Sequence, residues 1–150
     1  MPDTFPPPEP TQCNCTALRQ ASRRLTKFYD DALVATGLGT NQYAILSRLK
    51  RHGPRTIQEL ATMLVMDRST LGHLLRPLEK RGLVRLTITA ADRRRRVIVL
   101  TPEGEAVVAQ ALPLWAAAQQ RFEHVFGSDN ALTLRTILRQ VEMADLSAQP

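Results

Sequence analysis

Cysteine is almost missing from this 150-residue chain: Cys13 and Cys15, one residue apart, are the only two. That is no disulfide framework, and it suits a reducing compartment. The opening stretch, MPDTFPPPEPTQ, lacks a basic segment followed by an apolar one and does not read as a signal peptide. Long hydrophobic runs are absent as well. The most apolar segment, AVVAQALPLWAAA at 106–118, is too short to span a bilayer and contains Gln110 and Pro113. A cytoplasmic protein without membrane contact is therefore expected. His52, His73 and His124 are scattered, without ligand spacing to one another or to the cysteines, so neither a metal nor another cofactor is expected. Neither G-x-S-x-G, H-E-x-x-H nor a Walker loop occurs, and a thiol enzyme built on Cys15 would need a positioned histidine that the sequence does not reveal. The expected class is a binding protein rather than an enzyme.

What is present is positive charge, and it is segregated. The net charge is +6, but residues 41–101 hold thirteen basic and four acidic groups, while 102–150 hold three and six. A basic middle between neutral and acidic ends points to a surface that meets a polyanion. The extreme case is DRRRRVIVLT at 92–101, where Arg93, Arg94, Arg95 and Arg96 stand in succession before an alternating apolar run. Their charge is fixed at any physiological pH.

Hydrophobic periodicity divides the rest. Five prolines in the first ten residues exclude a helix there, and 1–12 read as a disordered tail ahead of a single domain at 13–150. A chain of this size buries roughly two thirds of its unfolded surface and needs no staple. From Thr16, Leu18, Ala21, Leu25, Phe28, Ala32 and Leu33 recur at helical spacing, ending near Gly37. A second helix covers about Asn41 to His52, stopped by Gly53 and Pro54. Thr56 and Glu59 have capping-box spacing and open a short third helix. Asp67 caps a fourth that runs to Gly82, with Leu71, Leu74, Leu75 and Leu78 as its buried stripe. Pro77 removes a hydrogen bond inside it, so a bend or a frayed second half is expected. LVRLTI and RVIVLT then alternate as two strands of a hairpin tipped by the arginine run. Thr101, Pro102, Glu103 and Glu105 start a long helix to about Phe126, which Pro113 should kink. A last helix carries Leu132, Leu134, Ile137, Leu138, Val141 and Leu146.

Helix, tight turn, helix and arginine-tipped hairpin is the order of a winged helix-turn-helix, so the fold class is mainly α with a small β-hairpin wing. In that arrangement the second helix of the pair enters the major groove. Arg68, Ser69, Thr70, His73 and Arg76 fall on or near its outward face and are the candidate DNA contacts, while the hairpin places an arginine in the minor groove.

These segments resemble the multiple antibiotic resistance regulator (MarR) family of bacterial transcription factors over about residues 14–146. LGTNQYAILSRL is similar to the family's second helix, TIQELATMLVMDRSTLGHLLRPLEKRGLV to its helix-turn-helix, and DRRRRVIVLTPEG to its wing signature of Asp, any residue, Arg, then a strand ending Leu-Thr-x-x-Gly. The resemblance implies that Asp92 and Arg94 are the paired wing positions, Arg94 entering the minor groove and Asp92 orienting it, with Arg93, Arg95 and Arg96 supplying phosphate contacts or solvated charge. It also implies a homodimer interlocked through N- and C-terminal dimerisation helices at 13–37 and 102–146, around a DNA-binding lobe at 38–101. That agrees with the spread of apolar residues around the long helix. The partners implied are a pseudo-palindromic double-stranded operator, a second copy of the chain and a small aromatic or phenolic effector that releases a repressor. The effector site is not assigned: Tyr43, Trp115 and Arg23 suit an aromatic acid, yet a tryptophan on a dimerisation helix is more often core. Two alternatives stay open. Oxidation of Cys13 and Cys15 at the start of the first helix would make a redox-responsive regulator, and a winged helix used for protein contact alone would need no DNA.

Overall fold

The computed structural model describes residues 13–88, 90–92 and 95–147. In order these form α1 (Asn14–Leu33), a 3-10 turn (Val34–Thr36), α2 (Thr40–His52), α3 (Ile57–Leu64), α4 (Arg68–Lys80), β1 (Val84–Ile88), β2 (Arg96–Leu100), α5 (Pro102–Phe126) and α6 (Ser128–Met143). The strands are antiparallel, with Val84 opposite Leu100 and Ile88 opposite Arg96.

Side-chain chemistry sets the helix starts. At α3, the Thr56 hydroxyl accepts from the Glu59 amide (3.2 Å) and the Glu59 carboxylate accepts from the Thr56 amide (2.7 Å), the reciprocal pair expected from the spacing. Asp67 accepts from the Thr70 amide (2.7 Å) at the start of α4, and Thr101 accepts from Gly104 (3.0 Å) at the start of α5. α2 is capped from outside: Gly39 has no side chain to offer, and Asp30 of α1 accepts from the Thr40 amide (2.6 Å) and hydroxyl (2.7 Å). α4 ends in a Schellman motif, Leu83 donating to the Leu78 carbonyl and Gly82 to that of Glu79, both at 2.9 Å, with Gly82 at φ 72°.

The core lies between α2, α3, α4, the hairpin and the first half of α5. Ile45, Leu46, Leu49, Leu60, Leu71 and Leu78 are fully buried there, joined by Val84, Ile98, Val108 and Ala111. Tyr43 packs against Trp115 with ring centroids 6.2 Å apart. Gly104 explains the glycine of the Leu-Thr-x-x-Gly segment: a Cβ there would stand 2.1 Å from the Leu83 carbonyl oxygen and 2.6 Å from the Leu100 Cδ1. The first turn of α5 therefore lies directly against the connection between α4 and β1 and against the end of β2.

Three features differ from the sequence reading. The second half of α4 does not fray: the helix runs through Pro77 to Lys80. Pro77 is exposed, where water meets a carbonyl that loses its partner, and its neighbour Leu78 is anchored in the core. α6 stops at Met143, so Leu146 is not part of its stripe and is 83% exposed. Arg55 adds a third, one-residue rung to the hairpin, exchanging backbone bonds with Ile98 at 3.2 and 2.8 Å. α5 runs through Pro113 to Phe126, the span read from the sequence.

Candidate nucleic-acid interface

The faces of α4 separate by chemistry. Leu71, Leu75 and Leu78 are buried and Leu74 half-buried, which leaves Arg68, Ser69, His73, Arg76 and Lys80 exposed on the other side. Thr70 is also exposed, but its hydroxyl donates to the second Asp67 oxygen at 2.6 Å. The Thr70 hydroxyl and then its amide hold the Asp67 carboxyl below its ordinary range, so the cap is anionic at neutral pH.

Between this outer face, the start of α3 and the hairpin runs a groove of about 570 Å³. Its floor is apolar, with Ile57, Leu75 and Ile98, and five arginines line it: Arg68 and Arg76 from α4, Arg85 from β1, Arg95 and Arg96 from the wing. Gly72 opens onto it with no atom within 4 Å of where a Cβ would stand, so a partner can approach the α4 backbone closely there. The groove thus brings three of the candidate contacts together, Arg68, Arg76 and Arg95. Ser69 and His73 stay on the exposed helix face, and Asp92 is exposed in the wing turn, its carbonyl accepting from the Arg95 amide at 3.0 Å. Arg93 and Arg94 lie outside the described residues.

Arg85 was overlooked in the sequence, although strand alternation between buried Val84 and its neighbours was signal enough to put it on the open face. A second unforeseen feature is an ion pair between Arg95 and Glu59 of α3. The Thr56 amide and hydroxyl, more than the nearby charges of Arg95 and Arg55, keep the Glu59 carboxyl below its usual range.

Elsewhere, Cys13 and Cys15 are both exposed at the start of α1. The Thr16 amide, followed by its hydroxyl, lowers the Cys13 thiol below the ordinary thiol range. Tyr43 is buried against Trp115, whereas Arg23 is exposed along α1, so these three do not assemble into one site. Among the described residues no group of three or more His, Cys, Asp or Glu is placed to hold a metal ion, and no helix is long and apolar enough to cross a membrane.

Two helices joined by a tight turn, followed by an arginine-lined hairpin that shares a groove with the second helix, define a winged helix-turn-helix protein. The MarR family model matches residues 38–95, which span α2 to the wing. The HTH-type transcriptional repressor NicR of Pseudomonas putida is 30% identical over 134 residues, covering 87% of this chain and 83% of that protein. The chain belongs to the MarR family of transcriptional regulators. Among solved structures, M. tuberculosis MosR in complex with DNA is 31% identical with a TM-score of 0.75, covering 90% of this chain and 100% of that one. The transcriptional repressor CouR bound to p-coumaroyl-CoA is 26% identical with a TM-score of 0.80, covering 89% and 94%.

Proposed function

We propose that the chain is a dimeric, sequence-specific repressor of double-stranded DNA, acting in the cytoplasm without catalysis. The arginine-lined groove between α4 and the wing carries this reading. A helix of this width fits the roughly 12 Å major groove, and bidentate side chains on its outer face discriminate base edges. Ser69, His73 and Arg76 face the bases, while Arg68, Arg85 and Arg96 are placed for phosphates. Thr70, spent on the cap, works by stiffening the helix start. Arg94 takes the minor groove, with Asp92 orienting it and Arg93 adding charge. Relatives that repress transcription or are seen on DNA support the reading.

Dimerisation rests on what a single chain leaves uncovered: Leu18 of α1, Leu112 of α5, and Leu132, Ile137 and Val141 of α6 are each 46–59% exposed. α1, α5 and α6 therefore form the dimerisation helices, 13–37 and 102–146, around the lobe 38–101. A small aromatic or phenolic compound releasing the DNA is supported by the ligand of CouR. A second reading rests on Cys13, whose exposed, acidified thiol suits oxidation and a link between subunits.

The test is an electrophoretic mobility shift with the DNA upstream of its own gene. Affinity should fall by roughly 0.9 log units per tenfold salt for each phosphate contacted. Arg94→Ala should weaken binding sharply without unfolding the chain, and Arg76→Ala or Ser69→Ala should change which sites are preferred. Binding indifferent to both salt and sequence overturns the reading in favour of protein contact alone. Aromatic acids, their thioesters and peroxide are then screened for release; release by peroxide that Cys13→Ser abolishes selects the redox mechanism.

A further inference from the structure

Glu59 holds two structural contacts with one carboxylate. Its Oε2 accepts from the Thr56 amide (2.7 Å) and hydroxyl (3.0 Å), closing the cap of α3, while its Oε1 pairs with the Arg95 guanidinium at the turn end of the hairpin, just before β2. An ordinary surface ion pair contributes little, because two long side chains must be frozen to form it. Here the cap has already fixed the acid, so only Arg95 has to be ordered. The Arg95 amide is also bound, to the Asp92 carbonyl at 3.0 Å. The other arginines that line the groove share no such described partner: Arg95 is the one given a carboxylate from α3 among the described residues.

We infer that Glu59 is a positioning residue for DNA binding: it ties Arg95 to α3, so that this arginine sets the hairpin against the helix pair instead of neutralising a phosphate. The inference rests on the DNA-binding reading above and adds to it a division of labour among the wing arginines. A freed arginine on this face gains phosphate contacts that carry no sequence information, so Glu59 lowers total affinity while it raises the ratio of specific to non-specific binding.

The experiment compares Glu59→Gln with the parent chain in salt titrations of binding to operator and to unrelated DNA. Glutamine keeps an acceptor for the Thr56 amide and loses the charge that holds Arg95, so the thermal midpoint should stay near the parent's. Binding to unrelated DNA should tighten by about tenfold at low salt, with the salt slope steeper by roughly 0.9 per protomer and a narrower specificity ratio. Arg95→Gln in the parent should leave the slope unchanged, and in the Glu59→Gln background it should restore the parent's slope. A Glu59→Gln slope equal to the parent's, or an Arg95→Gln single variant that flattens the slope by about 0.9 per protomer, overturns the inference while leaving the DNA reading intact. A parent chain with no salt-dependent binding overturns both.

Discussion

Leu46, Leu60, Leu71 and Leu78, all in the central lobe, are 0% exposed within a single chain, whereas Leu112, Leu132 and Ile137 of α5 and α6 are 52, 59 and 51% exposed. The same residue chemistry meets two fates. Within one chain the central lobe closes its core, with Val108 and Ala111 of α5 completing it, so its outer face is free to be charged and to read a partner. The flanking helices carry apolar stripes that α1, α5 and α6 of one chain do not cover, which is the state of half an interface. The two regions meet through that shared core and at two specific junctions, and substitutions at the junctions and on either side test how separate they are.

The largest effect is expected at the junction itself. Gly104→Ala places a methyl group 2.1 Å from the Leu83 carbonyl oxygen, and because that obstacle is backbone it does not turn aside. The expected cost is roughly 4 kcal/mol, read as a lowered midpoint in chemical denaturation. A cost under about 1 kcal/mol would mean that α5 does not start hard against the connection between α4 and β1.

Next comes the uncovered stripe. Leu132→Glu combined with Ile137→Glu should leave the helix-turn-helix folded, since neither side chain belongs to its core, and should shift the chain from dimer to monomer. Removing two apolar side chains per subunit from an interface is worth about 3 kcal/mol or more, over a hundredfold in the dissociation constant. Sedimentation measures this directly. A dimer of unchanged affinity would move the interface elsewhere.

Arg81 makes the second junction. From the end of α4 its guanidinium donates to the carbonyls of Thr36 and Gly37, both at 2.9 Å, tying the last turn of the candidate recognition helix to the bend between α1 and α2. Arg81→Ala should cost about 1–2 kcal/mol of stability, as expected for two partly exposed bonds from a charged donor. Affinity for DNA should fall without a change in salt slope, because the side chain acts on the protein and not on phosphate. A flatter slope would place Arg81 on the DNA instead.

The junctions are also where the sequence was least informative. Caps were legible because each is a pattern within four residues: Thr56 with Glu59, Asp67 before Thr70, Thr101 before Pro102. The buried stripe of α4 followed from periodicity alone. Arg81 to Gly37 and Arg95 to Glu59 join residues 44 and 36 positions apart, and nothing local marks them. The Arg55 rung consists of one residue and has no period to detect. Gly104 was visible as part of a signature, yet its reason, a backbone oxygen from another element, appears only when the chain is folded. Of the candidate site, the helix face could be read off, while the share of each wing arginine between protein and partner depends on contacts made at long range.

The smallest effect is expected in the turn between α3 and α4, and it has the opposite sign. Val65 adopts φ 51° and ψ 47°, a left-handed conformation that costs a β-branched residue about 1–2 kcal/mol. Its side chain is 71% exposed, so little packing offsets the strain. The turn needs this conformation to send the Val65 and Met66 amides back to the Thr62 and Ala61 carbonyls, at 3.2 and 2.9 Å. Asparagine enters the left-handed region more readily without the extra chain entropy of glycine, so Val65→Asn should stabilise the lobe by about 0.5–1 kcal/mol. Because the gain is confined to the lobe, it should raise the denaturation midpoint and leave the dimer dissociation constant unchanged; a matching shift in dimer affinity would show that the two regions fold as one cooperative unit.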